Sequence, residues 1–419
     1  MTLTLIGQEN NKLDLPELGD RVSGAVSSDE EKIIGKEFLK QIYFQAPLIS
    51  DPLIQEYTEL LIYRLSEYSE VKDRQFTVLL IDDNSLNAFA APGGIIGVNG
   101  GLFLNADDEG QFSSVMAHEL AHLSQRHFAR NVLNAQDKSI GSAITMISSI
   151  ALALVTNNPN AIAIGPAVLQ NQNLRYSRLF EKEADRVGFA NLIRAGYNPN
   201  SMGEMFENMN NLKKLKGEIP PEFLLTHPLS SSRINDAFNA AEGISEEGTK
   251  KNSLEYSLIK SRLAVLYEKI PSQSLRLFKS KFEKNKSDAN IYGLALSYFE
   301  HKQFQQAKIL LESLKAQDNN NLFYIDALTD VYLALKEYDV ALSMLEPLTL
   351  LMPNNQVISL NYGNALLESK RYQQAELVLQ DFLLVNPENY IANDLLTAVY
   401  RKQNKKGLMH ITKAEVLVL

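Results

Sequence analysis

His118, Glu119 and His122 stand in the pentapeptide HELAH, and few triplets in this sequence are so well suited to chemistry. The surrounding run, DDEGQFSSVMAHELAHLSQRHFARNVLNAQ, has no glycine or proline after Gly110, and apolar residues recur at Phe112, Val115, Met116, Leu120 and Leu123. That periodicity predicts a helix. At about 100° per residue, His122 lies about 40° and Glu119 about 100° from His118, so all three share one sector. Two imidazoles one turn apart can chelate one Zn²⁺ while the glutamate between them serves as general base toward water. His127 lies nine residues after His118. On a continuing helix it falls on the opposite side, as an ordinary polar-face histidine.

Two histidines leave a catalytic zinc one protein ligand short. The stretch FEKEAD supplies candidates in Glu181, Glu183 and Asp185. Glu181 and Asp185 are one turn apart on a shared face, with Glu183 about 200° from each. Glu181 is therefore expected on the metal, and Asp185 behind it, orienting a ligand imidazole through its free N–H. Glu183 is expected to face solvent or pair with an arginine. His227, in LLTHPLSSSR, is the other histidine set in a motif, with Pro228 fixing the chain beside it. Taken alone it also fits a loop histidine bonded to backbone.

These residues need elements to hold them. Residues 1–30 read as a polar arm, and helix follows from Ser28 to about Tyr68. The run FTVLLIDDNSLNAFAAPGGIIGVNGGLF, Phe76 to Phe103, reads as two or three short strands with tight turns. An edge strand there could pair with an extended peptide, or could serve only as a packing layer. A helix ending near Gly196 and Pro199 carries FEKEAD. The segment GISEEGTKKN, Gly243 to Asn252, reads as a linker.

Beyond it the sequence repeats. Phe304, Tyr338 and Tyr372 are 34 residues apart, as are Ala307, Ala341 and Ala375. This is the tetratricopeptide period, two antiparallel helices per unit stacking into a solenoid. Units are expected at 288–321, 322–355 and 356–389, with another from Tyr390 and a degenerate first one at 254–287. The final residues, VLVL, form no polar capping helix; a partner surface, a truncation or a capping contact with the first domain would each account for that.

Composition bounds the rest. The chain has 419 residues, 45% apolar and 22% charged, with net charge −9. That balance gives no electrostatic reason to expect nucleic acid. With no cysteine, thiolate metal sites, disulfides and a cysteine nucleophile are excluded. The N-terminus lacks the basic start of a signal peptide, so either the protein is cytosolic or a leader has been removed. The most membrane-like segment, Ala143 to Val155, is too short to span a bilayer and reads as a buried or interfacial helix, which leaves peripheral membrane contact open.

HELAH, the later EKEAD, the THP of His227 and the arginine at 233, with LNAFAAPGG before the metal helix, resemble the HtpX and CAAX-prenyl-protease family of gluzincin metallopeptidases. The resemblance implies one zinc per chain on His118, His122 and Glu181, catalysis by Glu119, and assistance from Asp185. It brings His227 to the zinc, either as donor to the developing oxyanion or as a fourth ligand that holds the enzyme latent. It also implies substrate contact along Asn87, Ala88, Phe89 and Ala90, within an edge reaching Gly94, and at Arg233.

With the repeats included, the resemblance implies a periplasmic protease of a Gram-negative bacterium. Its clients would be unfolded or misassembled outer-membrane proteins, and its repeats would engage the β-barrel assembly machinery. The expected fold is an α+β zincin-like metalloprotease domain at 31–253 and an all-α tetratricopeptide-repeat solenoid at 254–419. The alternative function is a chaperone-like adaptor whose solenoid does the work and whose protease is latent. Intramembrane proteolysis is disfavoured by the lack of a span of adequate length.

Overall fold

This computed structural model describes residues 26–134, 141, 144, 178–216, 221 and 223–418. The N-terminal arm up to residue 25 and, apart from Ile144, the apolar run 143–155 lie outside the described residues. The expected helical stretch from Ser28 is divided into α1 (Ser28–Gln45) and α2 (Pro52–Ser66). Ser27 and Glu30 form a reciprocal capping box at the start of α1, and Asp51 caps α2 just before Pro52.

A three-stranded sheet follows: β1 (Thr77–Ile81), β2 (Ala88–Ala91) and β3 (Ile95–Asn99). Its order is β1-β3-β2, with β1 parallel and β2 antiparallel to the central β3. The outer edge of β1 is partly covered, because Ile49 N–H donates to Leu80 O, Asp82 N–H donates to Pro47 O, and Leu48 bridges to Ile81. That leaves β2 as the second edge, and it packs on the metal helix. Asn99 N–H donates to Asn87 O, so alternation of the ladder gives the Phe89–Gly97 and Ala91–Ile95 pairs the inward bonds. The backbone groups of Ala88 and Ala90 therefore point away from β3. Gly97 is required here, since a Cβ would lie within 2.1 Å of the Phe89 ring.

After the short α3 (Gly100–Asn105) comes α4 (Glu109–Ser124), which carries HELAH. Asp108 caps it, and its residues from Glu109 through His122 are all buried, so it is a core helix rather than an amphipathic surface one. Next are α5 (His127–Asn134), α6 (Arg178–Arg194), α7 (Ser201–Lys216), α8 (Phe223–Thr226) and α9 (Ser231–Ala241). Around the site α4 packs most extensively on α6. At their crossing a Cβ on Gly188 would meet Ala117 O and His118 N at 3.0 Å, which is why the two backbones approach so nearly.

Five helical hairpins complete the described chain: α10 (Leu254–Leu266) with α11 (Pro271–Lys284), α12 (Asp288–Glu300) with α13 (Phe304–Gln317), α14 (Leu322–Ala334) with α15 (Tyr338–Leu351), α16 (Gln356–Glu368) with α17 (Tyr372–Val385), and α18 (Tyr390–Lys402) with α19 (Lys406–Val418). The period singled out the right residues. Phe304, Tyr338 and Tyr372 each open the second helix of a hairpin, and Ala307, Ala341 and Ala375 are buried one turn later.

The first hairpin also serves the other half of the chain. Tyr256 on α10 is fully buried among Tyr57, Phe103 and Phe112, with ring centroids 5.7–6.2 Å from it. Arg262, also on α10, pairs with Asp51 at the start of α2 and with Asp326 on α14.

Candidate metal centre

The centre forms where α4, α6 and the loop after α8 meet. One ligand atom from each of His118, His122, Glu181 and His227 lies within 4.8 Å of the others, and all four residues are buried. His118 Nε2 is 3.0 Å from His122 Nε2, 3.4 Å from His227 Nδ1 and 3.6 Å from Glu181 Oε2. Glu181 Oε1 is 3.6 Å from His122 Nε2 and 3.1 Å from His227 Nδ1. Three imidazoles and one carboxylate converging on one point form the N/O donor set that suits a divalent transition ion. Glu119 lies beside it, its Oε1 3.5 Å from His227 Nε2, and neither of its buried oxygens has a hydrogen-bond partner of ordinary geometry. A buried carboxylate so poorly satisfied is costly unless a cation or water meets it, so the residues fit a metal.

Behind the ligands stand the groups that orient them. His118 Nδ1 is 3.1 Å from Asp185 Oδ1. Asp185 is gripped by Arg233, whose Nε and Nη2 donate to its two oxygens at 2.6 and 2.7 Å. Arg233 Nη1 also lies 2.8 Å from Glu181 Oε2 and donates to Pro228 O at 2.9 Å. One guanidinium thus joins the α6 carboxylates to the loop of His227. The His227 ring stacks on Phe223 at 4.5 Å, and His227 N–H donates to Phe223 O.

Charge follows from these contacts. Burial pushes His118 down, but the bonds to Asp185 and Glu181 prevail and raise it to about 9 without metal. Burial, reinforced by the charge of His118, holds His122 well below the usual imidazole range. Glu181 is opposed by burial yet held well below the carboxylate range, chiefly by His227 and His118. Glu119 is raised by burial, against the pull of His227, His118 and the Ala90 N–H. That last contact places the outward backbone of β2 against the general-base candidate.

Several expectations change. His127 is not on the far side of the helix: it is fully buried, and its Nδ1 is 2.8 Å from His122 Nδ1. The reason is backbone geometry. Helix α4 stops at Ser124, Arg126 adopts φ 50°, and α5 begins afresh at His127, so wheel angles measured from His118 no longer apply. No residue in this stretch announces the break. Arg233, grouped with substrate contacts, is 4% exposed and holds Glu181, Asp185 and Pro228 O instead of an open surface. Glu183 does pair with an arginine, Arg130 at 2.8 Å, and it also meets His127 Nε2 at 3.2 Å. Asn87, Ala88 and Phe89 are buried, and Ala90 is half-buried, beside the site.

Comparison with known proteins fits this geometry. Residues 52–241 match the model of peptidase family M48, and residues 332–399 match a tetratricopeptide-repeat model. The chain is 33% identical over 98% of its length to the putative beta-barrel assembly-enhancing protease of Vibrio cholerae, covering 86% of that protein. It is 30% identical to the beta-barrel assembly-enhancing protease of Escherichia coli over 96% of this chain and 83% of the relative. A mitochondrial metalloendopeptidase of Schizosaccharomyces pombe is 27% identical over 50% of this chain and 60% of its own. HELAH with a third ligand carboxylate on α6, a matching peptidase model and relatives aligned along nearly the whole length place this chain in the metallopeptidase family M48, with tetratricopeptide repeats in its second half.

Proposed function

We propose that this chain is a zinc-dependent endopeptidase acting on misassembled outer-membrane β-barrel proteins in the periplasm. The observation that carries the chemistry is the convergence of His118, His122 and Glu181 beside Glu119 and the outward backbone of β2. Held by His118, His122 and Glu181, zinc would supply Lewis-acid polarisation at the scissile carbonyl. Glu119 takes the proton of the attacking water and passes it to the leaving amine, a role its raised pKa suits. Ala90, half-buried where Ala88 is fully buried, offers an extended substrate backbone that β3 does not use, which gives alignment with little side-chain selectivity. Asp185, 3.1 Å from His118 Nδ1, favours the tautomer that leaves the Nε2 lone pair available to a metal. The client class rests on the relatives' name, beta-barrel assembly-enhancing protease, and the compartment on the family resemblance of the sequence motifs. The helical hairpins of 254–418 are the surface for partners or clients. Among the described residues no helix is long and apolar enough to cross a membrane.

His227 joins the same cluster, and its distances to Glu181 and His118 favour the latent reading, in which it fills the place water needs. Metal analysis with casein cleavage, with and without chelator, tests the whole assignment: no bound zinc, or cleavage indifferent to chelation, would overturn it. The adaptor reading stays separable. An adaptor keeps its cellular effect when Glu119 is neutralised, and a protease loses it. For His227, basal cleavage by His227→Ala decides: a rise supports the latent form, a fall supports an oxyanion donor, and no change rejects both.

A further inference from the structure

An imidazole that gives one ring nitrogen to a metal must carry its proton on the other, and when buried that N–H needs an acceptor. For His118 the acceptor is Asp185, neutralised by Arg233. For His122 the group that the described residues bring to the corresponding place is an imidazole. His122 Nδ1 meets Nδ1 of His127 at 2.8 Å, and His127 Nε2 lies 3.2 Å from Glu183 Oε2. Glu183 in turn takes the guanidinium of Arg130 at 2.8 Å. The bonds run in one direction. A carboxylate only accepts, so His127 carries its proton on Nε2 and offers the lone pair of Nδ1. That lone pair draws the proton of His122 to Nδ1 and leaves His122 Nε2 bare, 3.0 Å from the Nε2 of His118.

The packing holds this line of groups still. His127 is fully buried, with its ring flat on Phe180 at 4.6 Å and 11°, and the Arg130 guanidinium lies 4.4 Å from the centroid of that phenyl ring. Phe180 and Glu183 both belong to the first turns of α6, which also provides Glu181 and Asp185. The two ligand histidines are thus served alike from one helix, each through a carboxylate closed by an arginine, and the His122 arm is longer by one imidazole.

We propose that His127 is a positioning residue for the metal: with Glu183 and Arg130 it fixes the tautomer and ring orientation of His122, as Asp185 and Arg233 do for His118. This rests on the metal reading of the site. His127 stands outside the group of four ligand residues and meets it through His122, so its effect passes through His122.

The test is zinc affinity of the full chain, measured by competition with a chromophoric chelator, beside thermal unfolding of the metal-free protein. His127→Phe keeps the stacking on Phe180 and removes the acceptor; zinc affinity should fall about 10–100-fold, the usual effect of losing such a partner. His127→Asn puts an amide oxygen near the Nδ1 position and should recover most of that loss. Glu183→Ala should weaken zinc in the same direction. Combined with His127→Phe it should add little, because both cut one chain of bonds. Zinc affinity of His127→Phe equal to the parent overturns the proposal. So does a loss in which Asn fares no better than Phe, since packing alone would then explain it. Should His127→Phe fail to fold, Glu183→Ala decides: unchanged affinity overturns, reduced affinity supports. A parent chain that binds no zinc would sink the metal reading itself, a separate failure.

Discussion

Glu119 is fully buried with both oxygens short of partners, so its value lies in the proton it exchanges. Glu119→Gln keeps the shape and every ligand but cannot take a proton. Peptide hydrolysis should fall by about 10²–10⁴-fold while one metal stays bound; wild-type turnover in that variant would dismiss Glu119 as base. His118 supports a second expectation. In the metal-free site its bonds raise it to about 9, while His122 and Glu181 hold no competing proton near neutrality. A metal must therefore displace one proton from His118, and below that pKa the proton competes. From about pH 6.5 up to about 9 the apparent zinc affinity should rise about tenfold per pH unit, then level off. A flat affinity across that window would mean His118 is already unprotonated. His118, His122, Glu181 and Asp185 could be singled out in the sequence because helical spacing alone sets which of them share a face. Arg233 and His127 could not be placed by spacing: one bears on the site from another helix, the other lies beyond a backbone break.

The α4–α6 crossing sets the distance between the histidines and the carboxylates, and Gly188 sets the crossing. A Cβ there would touch Ala117 O and His118 N at 3.0 Å, and backbone cannot swing aside as a side chain can. Gly188→Val should push α6 off α4 and widen the gap from Glu181 to His118. Destabilisation of about 1–3 kcal/mol is the ordinary consequence of overpacking. Here zinc affinity should fall as well, because ligands from both helices are displaced. Unchanged affinity with lowered stability would show that the site tolerates a wider crossing. Periodicity predicted both helices but not their contact, since a glycine on a charged helix reads only as a weak spot until its neighbour is known. The sheet was more legible: the turn residues bounded its strands, whereas the β1-β3-β2 order, and hence which edge faces the site, depended on pairing that no local signal encodes.

At the scale of the whole chain, the first helix of the repeat array is bolted to the first turn of the metal helix. Glu109 N–H donates to Asn252 Oδ1 at 2.7 Å, and Glu109 Oε2 accepts from Ser253 N–H at 2.7 Å. Three residues later Tyr256 enters the aromatic cluster with Phe112, on the same turn of α4 as Glu109. The 34-residue period showed where α10 begins, but a repeat pattern describes only how a unit meets the next unit. It is silent on what the terminal unit meets on its other side. Removing the ring should therefore loosen the peptidase half as well as the array. Tyr256→Ala is expected to cost about 3–5 kcal/mol, as for other large buried aromatics, and to speed amide exchange in α4 as well as in α10. Tyr324, equally buried but seated on α14 within the array, is the control. Tyr324→Ala should cost a similar amount with exchange in α4 unchanged. Hydrogen exchange read by mass spectrometry on both variants distinguishes the cases. Protection of α4 that survives Tyr256→Ala would show that the array rests on the metal helix without supporting it, and movements of the repeats would then have no route through this contact to His118 and Glu119.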